Sequence, residues 1–172
     1  ADYKKIFELP YDSFEEIIIK GAAVGFADVP LCEKEPYIIR YAEMIDNWAE
    51  CDCFCSCIKV KKSEEDDLLR LAEGLMYRKE EFVSRVGTVL MFSKFSDEPT
   101  VRKALAIYDR LPSGEYYRDM AVAWGISVYC VKYPQLIVKY LEHSPISVAV
   151  KLAAAQKIRD SRRISDEVKR RV

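Results

Sequence analysis

The chain has a single histidine, His143, no apolar run of membrane-spanning length and no hairpin-type turn, and each shortage removes a class of protein. Its longest apolar runs, such as Ile17-Ile18-Ile19 and Val148-Ala149-Val150, fall far short of the roughly 20 residues needed to cross a bilayer. Lys4 and Lys5 near the start are followed by no apolar segment of signal-peptide length, so secretion is not indicated and a cytoplasmic address is expected. Neither Asn-Gly nor Asp-Gly occurs, and apolar and polar residues nowhere alternate for long, which argues against strands.

Histidine poverty also bears on the cysteines. Four of the six stand together as Cys51, Cys53, Cys55 and Cys57, in a segment that reads helical. On a helix, residues two apart point about 160° away from each other, so only Cys51/Cys55 and Cys53/Cys57 share a face. With one histidine and no Cys-x-x-Cys element elsewhere, a four-ligand zinc site lacks parts. No metal and no cofactor is therefore expected, and the quartet reads as small buried residues between tightly packed helices.

At 172 residues the chain suits one domain spanning 1–172, long enough to bury a core without disulfide or metal support. The net charge of -1 conceals a gradient. Residues 1–60 hold 6 basic against 12 acidic side chains, residues 61–150 hold 13 of each, and residues 151–172 hold 8 against 3. The basic end, with Lys157, Arg159, Arg162, Arg163, Lys169, Arg170 and Arg171, has the character of a phosphate-binding segment; a solvated terminal helix is the plainer reading of the same residues.

Helical periodicity dominates, and the punctuation predicts about ten helices. Ser13 opens a capping box with Glu16 before a helix to Phe26, and Pro30 suits the first turn of a second helix to Met44. Asp46 or Asn47 can cap a third helix through about Val60, and Ser63 with Asp66 can start a fourth through Arg78. A fifth spans about Glu80 to Phe95, a sixth about Pro99 to Leu111, and the turn Pro112-Ser113-Gly114 releases a long one from Glu115 to Tyr133. Pro134, Pro145 and Ser165 begin the last three. Two helices with their turns occupy roughly 35 to 40 residues, the length class of HEAT-type repeats, whose stacked units bury a continuous core and leave a groove.

One constellation follows that register. Trp48 and Asp52 are four residues apart, so an indole and a carboxylate share a helix face. Arg85 lies 37 residues after Trp48, and Trp124 39 residues after Arg85, which puts them in equivalent places of successive helix pairs and predicts that all four meet. Taken singly, a tryptophan in an apolar helix is usually core and an arginine on a helix is usually a surface charge.

Around these positions, Ile45-Asp46-Asn47-Trp48 through Asp52, Phe82-Val83-Ser84-Arg85, Tyr116 through Trp124, Ala155-Gln156-Lys157-Ile158 and Ser161-Arg162-Arg163-Ile164-Ser165 resemble the DNA alkylation repair glycosylases of the AlkC/AlkD type, from about Phe14 onward. The resemblance implies an all-α, right-handed α-α superhelix of HEAT-like helix pairs, with further helices ahead of the segment that aligns with residue 1. It further implies an aromatic cleft lined by Trp48 and Trp124, a catalytic carboxylate at Asp52, DNA-backbone contact by Arg85, and phosphate contacts from Lys157, Arg159, Arg162 and Arg163. The implied substrate is double-stranded DNA carrying cationic N3- or N7-alkylpurines, excised without base flipping, and the expected state is a monomer. A non-catalytic HEAT-like scaffold that binds protein or DNA structures is the alternative the same residues allow.

Overall fold

The computed structural model describes residues 2–172, and among them there are eleven α-helices, one 3-10 turn and no strand. Contacts cluster into two compact units, one through Leu90 and one from Met91.

In the first unit, α1 (Tyr3–Glu8), α2 (Phe14–Gly25), α3 (Leu31–Met44), α4 (Trp48–Cys57), a 3-10 turn (Lys62–Glu64), α5 (Glu65–Met76) and most of α6 (Glu81–Lys94) follow one another. The expected capping box is present: Ser13 Oγ accepts from Glu16 N at 3.3 Å, and Glu16 Oε2 accepts from Ser13 N at 3.1 Å. Asn47 caps α4 by accepting from Glu50 N at 3.0 Å, which sets Trp48 as its first residue. Packing runs between neighbours, α1 on α2 and α2 on α3, and between every second helix, α2 on α4 and α3 on α5. Close approach needs missing side chains at the contacts. A Cβ on Gly25 would stand 2.8 Å from the Cys57 carbonyl carbon, and one on Gly87 would stand 2.5 Å from Met76 N and 2.6 Å from Ala72 O.

Two buried lysines satisfy carbonyls that the helix ends leave over. Lys20 of α2 donates to Phe7 O at 2.7 Å and to Leu9 O, closing the end of α1, where Tyr3 and Phe7 are buried and meet the Tyr37 ring edge-on. Lys34 of α3 donates to Ala27 O and Lys59 O, joining the ends of α2 and α4. Burial pushes the Lys34 ammonium below the usual lysine range, and the Glu64 carboxylate opposes that shift. Glu64 itself accepts from Leu31 N at 2.7 Å, capping α3 from 33 residues away.

The second unit holds α7 (Glu98–Tyr108), α8 (Tyr116–Lys132), α9 (Pro134–His143), α10 (Val148–Asp160) and α11 (Asp166–Lys169). Its centre is α8, which packs most extensively on α10, then on α9 and α7. Gly114, at φ 114°, occupies the left-handed region that the turn before α8 requires, and its N–H donates to Asp119 at 2.9 Å. Tyr140 of α9 reaches Asp109 at 2.8 Å, tying α9 to the end of α7.

Three expectations change. The eleventh helix, α1, precedes the first one expected, because a six-residue segment carries no periodicity to read. Ser63 does not start the fourth helix: it lies in the 3-10 turn, and α5 begins at Glu65. The helix expected from Pro145 begins at Val148, capped by Ser147.

Replacing Gly87 by Ala drives a methyl into backbone atoms of α5 and is expected to destabilise the protein by about 1–3 kcal/mol. Gly74→Ala, in α5 with open space at the same position, is expected to stabilise it by about 0.4–1 kcal/mol. Urea unfolding of both variants checks the contrast, and equal effects would contradict the packing described.

Candidate functional site

The capped start of α4 presents Trp48 outward at 57% exposure, and one turn later Asp52 follows on the same face. Arg85 of α6 is only 5% exposed, and its Nη2 donates to both Asp52 oxygens, at 2.9 and 3.0 Å. A charge-assisted contact of this kind fixes the orientation of the carboxylate, while the Asp52 side chain keeps 21% of its surface open to solvent. The unit therefore offers an anchored carboxylate beside a solvent-facing indole. The guanidinium expected on a DNA backbone is instead turned inward, onto Asp52.

Trp124 belongs to α8 in the second unit. It is half-buried with its ring edge-to-face on Phe92, centroids 4.7 Å apart. It borders a cleft of about 400 Å³ together with Ser127 and Val128 of its own helix, and Lys157, Asp160 and Arg163 from the end of α10 and beyond. Of the four basic residues to which the resemblance gives phosphate contacts, Lys157 and Arg163 line this cleft. Arg159 is turned to the chain end instead, donating to Val172 O at 2.8 Å, and Arg162 is exposed without lining the cleft. Asp160 escaped the sequence reading, since an acidic residue inside a basic run carries no motif of its own, and the Ser127 hydroxyl donates to Trp124 O at 2.7 Å.

The cysteine quartet divides by helix face. Cys51 and Cys55 are buried, as expected of small residues between helices, but Cys53 is exposed and Cys57 is half-buried. Among the described residues no three His, Cys, Asp or Glu side chains are grouped to hold a metal ion. In the second unit, burial pushes the Cys130 thiol up to about 11. Among the described residues no helix is long and apolar enough to cross a membrane.

No family model, no curated protein and no solved structure matches the chain.

A double-mutant cycle on Asp52→Ala and Arg85→Ala is expected to give a coupling of about 1–3 kcal/mol in unfolding free energy. Additive effects would mean that the pair is not formed in solution. Thiol labelling at pH 8 with mass mapping is expected to modify Cys32 and Cys53 in the native protein while Cys130 reacts only on unfolding, since a buried, protonated thiol is a poor nucleophile.

Proposed function

We propose that this chain is a DNA glycosylase that hydrolyses the N-glycosidic bond of cationic N3- and N7-alkylated purines in duplex DNA, acting as a monomer on a HEAT-like superhelix. The observation that carries the proposal is the Asp52 carboxylate, held by the buried Arg85 one turn from the exposed Trp48. The resemblance to the AlkC/AlkD type of repair glycosylase rests on these positions, and packing between every second helix, α2 on α4, α3 on α5 and α8 on α10, supports HEAT-like stacking within each unit.

The chemistry suits such a site. A purine alkylated at N3 or N7 is already positively charged, so when its bond to the sugar breaks, the electron pair neutralises the base and it leaves without needing a proton. The sugar carbon acquires oxocarbenium character, and a fixed carboxylate such as Asp52 stabilises that charge and orients the water that adds to it, with the released proton passing to solvent. Indole faces such as those of Trp48 and Trp124 favour cationic groups through their quadrupoles. Because the leaving group is activated by its own charge, the base need not be drawn into an enclosed acid-bearing pocket, in contrast to base-flipping enzymes. Lys157 and Arg163, with Arg159 and Arg162 nearby in sequence, are assigned to phosphate contacts that hold the duplex. Arg85 acts through Asp52 and is a positioning residue in this reading.

A second reading has one observation in its favour. The Arg85 charge is already met by Asp52, which leaves the pair compatible with a purely structural tie in a non-catalytic HEAT-like scaffold.

Release of 7-methylguanine and 3-methyladenine from methylated duplex DNA separates the two. The glycosylase reading expects release, reduced about 100-fold or more in Asp52→Asn with DNA binding largely kept. Absence of release from every alkylated duplex would turn the assignment to the scaffold.

A further inference from the structure

A second acidic feature lies on the opposite side of α4 from Trp48 and Asp52. Glu50 is two residues from each of them, about 160° around the helix, and is only 5% exposed. Its Oε2 is buried without a hydrogen-bond partner. The side chain lines a pocket of about 330 Å³ where the approach to α2, the end of α3 and the start of α4 meet, with Asp12 and Asp46 as further carboxylates and Tyr11, Phe14 and Met44 as apolar walls.

A position in the first turn of α4 eases the negative charge of Glu50 through the helix dipole, but it leaves the lone pairs of Oε2 unfilled. The surrounding groups do not fill them. Lys20, whose ammonium lies 5.0 Å from the Tyr11 ring centroid, gives two of its three N–H donors to Phe7 O and Leu9 O. Asp46 accepts from Asn47 at 3.3 Å, and the Asp12 N–H is taken by Glu16. The Tyr41 hydroxyl, buried near enough to feel the Glu50 charge and likewise without a partner, is a neutral donor; a cation would meet the charge of Glu50 as well as its lone pairs.

We infer that this pocket takes an organic cation, a guanidinium or primary ammonium group, which donates to Glu50 while lying against the Tyr11 and Phe14 rings. A bare metal ion fits poorly, because hard cations demand several oxygens converging at 2.3–2.6 Å, and no three acidic side chains among the described residues are grouped that way. An extended cation spans separated carboxylates and gains from aromatic faces that a hydrated metal ion would not touch. An anion is excluded by the three carboxylates. The inference stands apart from the glycosylase proposal, since it uses neither Asp52 nor either tryptophan.

Two sources supply this chemistry: a free polyamine, or an Arg side chain presented by another protein. Amide NMR of the full chain, titrated with spermidine and separately with N-acetyl-arginine amide at constant ionic strength, tests both. Saturable shifts confined to the Tyr11–Phe14 and Asp46–Glu50 amides are expected, with Glu50→Gln weakening binding on the order of tenfold, as loss of one charge-assisted contact implies. Response to spermidine alone assigns a polyamine, response to the arginine probe alone assigns a protein side chain, and response to both leaves the cation class established. The Asp12→Asn/Asp46→Asn pair, at exposed positions, reads the same loss if Glu50→Gln disturbs folding. No saturable shift with either probe, or binding unchanged in the double variant and in Glu50→Gln, would overturn the assignment.

Discussion

A buried guanidinium must have its charge met where it sits, and in the first unit that demand falls on Asp52. The requirement reaches well beyond the two residues. Arg85 meets Asp52 only because α4 and α6 are held close, and their neighbours are held close by the absence of side chains at Gly25 and Gly87. A methyl at either glycine would displace a helix by more than the few tenths of an ångström that a hydrogen bond tolerates. Packing in the interior and geometry at the candidate site are thus one constraint seen from two ends.

How far that constraint could be read from the chain depends on the distance over which it acts. The Ser13–Glu16 capping box and the Asn47 cap were legible because both partners lie within one turn. The Trp48–Asp52 face was legible for the same reason, since four residues return a helix to nearly the same direction. By contrast, Glu64 reaches Leu31 across 33 residues, and nothing in Lys61-Lys62-Ser63-Glu64 announces it; the local pattern suggested a cap at Ser63 instead. Arg85 was placed in the right register beside Asp52, but its burial was not readable, because a long basic side chain on a helix is ordinarily a solvent group. Glu50 was passed over because a Glu in the first turn already has a sufficient local role.

Charge is distributed along the chain in a way that gives each unit its own character. The acidic surplus of residues 1–60 includes Asp12, Asp46 and Glu50 around one pocket, while the basic surplus after residue 150 includes Lys157 and Arg163 beside Trp124. The two surpluses therefore fall one in each unit, the acidic one in the first and the basic one in the second.

The first helix shows what ties between neighbours mean for motion. At six residues α1 is far too short to persist by its own backbone bonds, so its order is set by Tyr3 and Phe7 against Tyr37 and by one ammonium, Lys20, gripping its final carbonyls. Any movement of α1 must also break the paired contacts of Arg40 with Glu8 and the Tyr3 hydroxyl bond to Glu33 O, so α1 is tied to α3 as well as to α2. Lys20 in turn depends on α1 for two carbonyl partners, so one contact satisfies both the helix end and a buried ammonium.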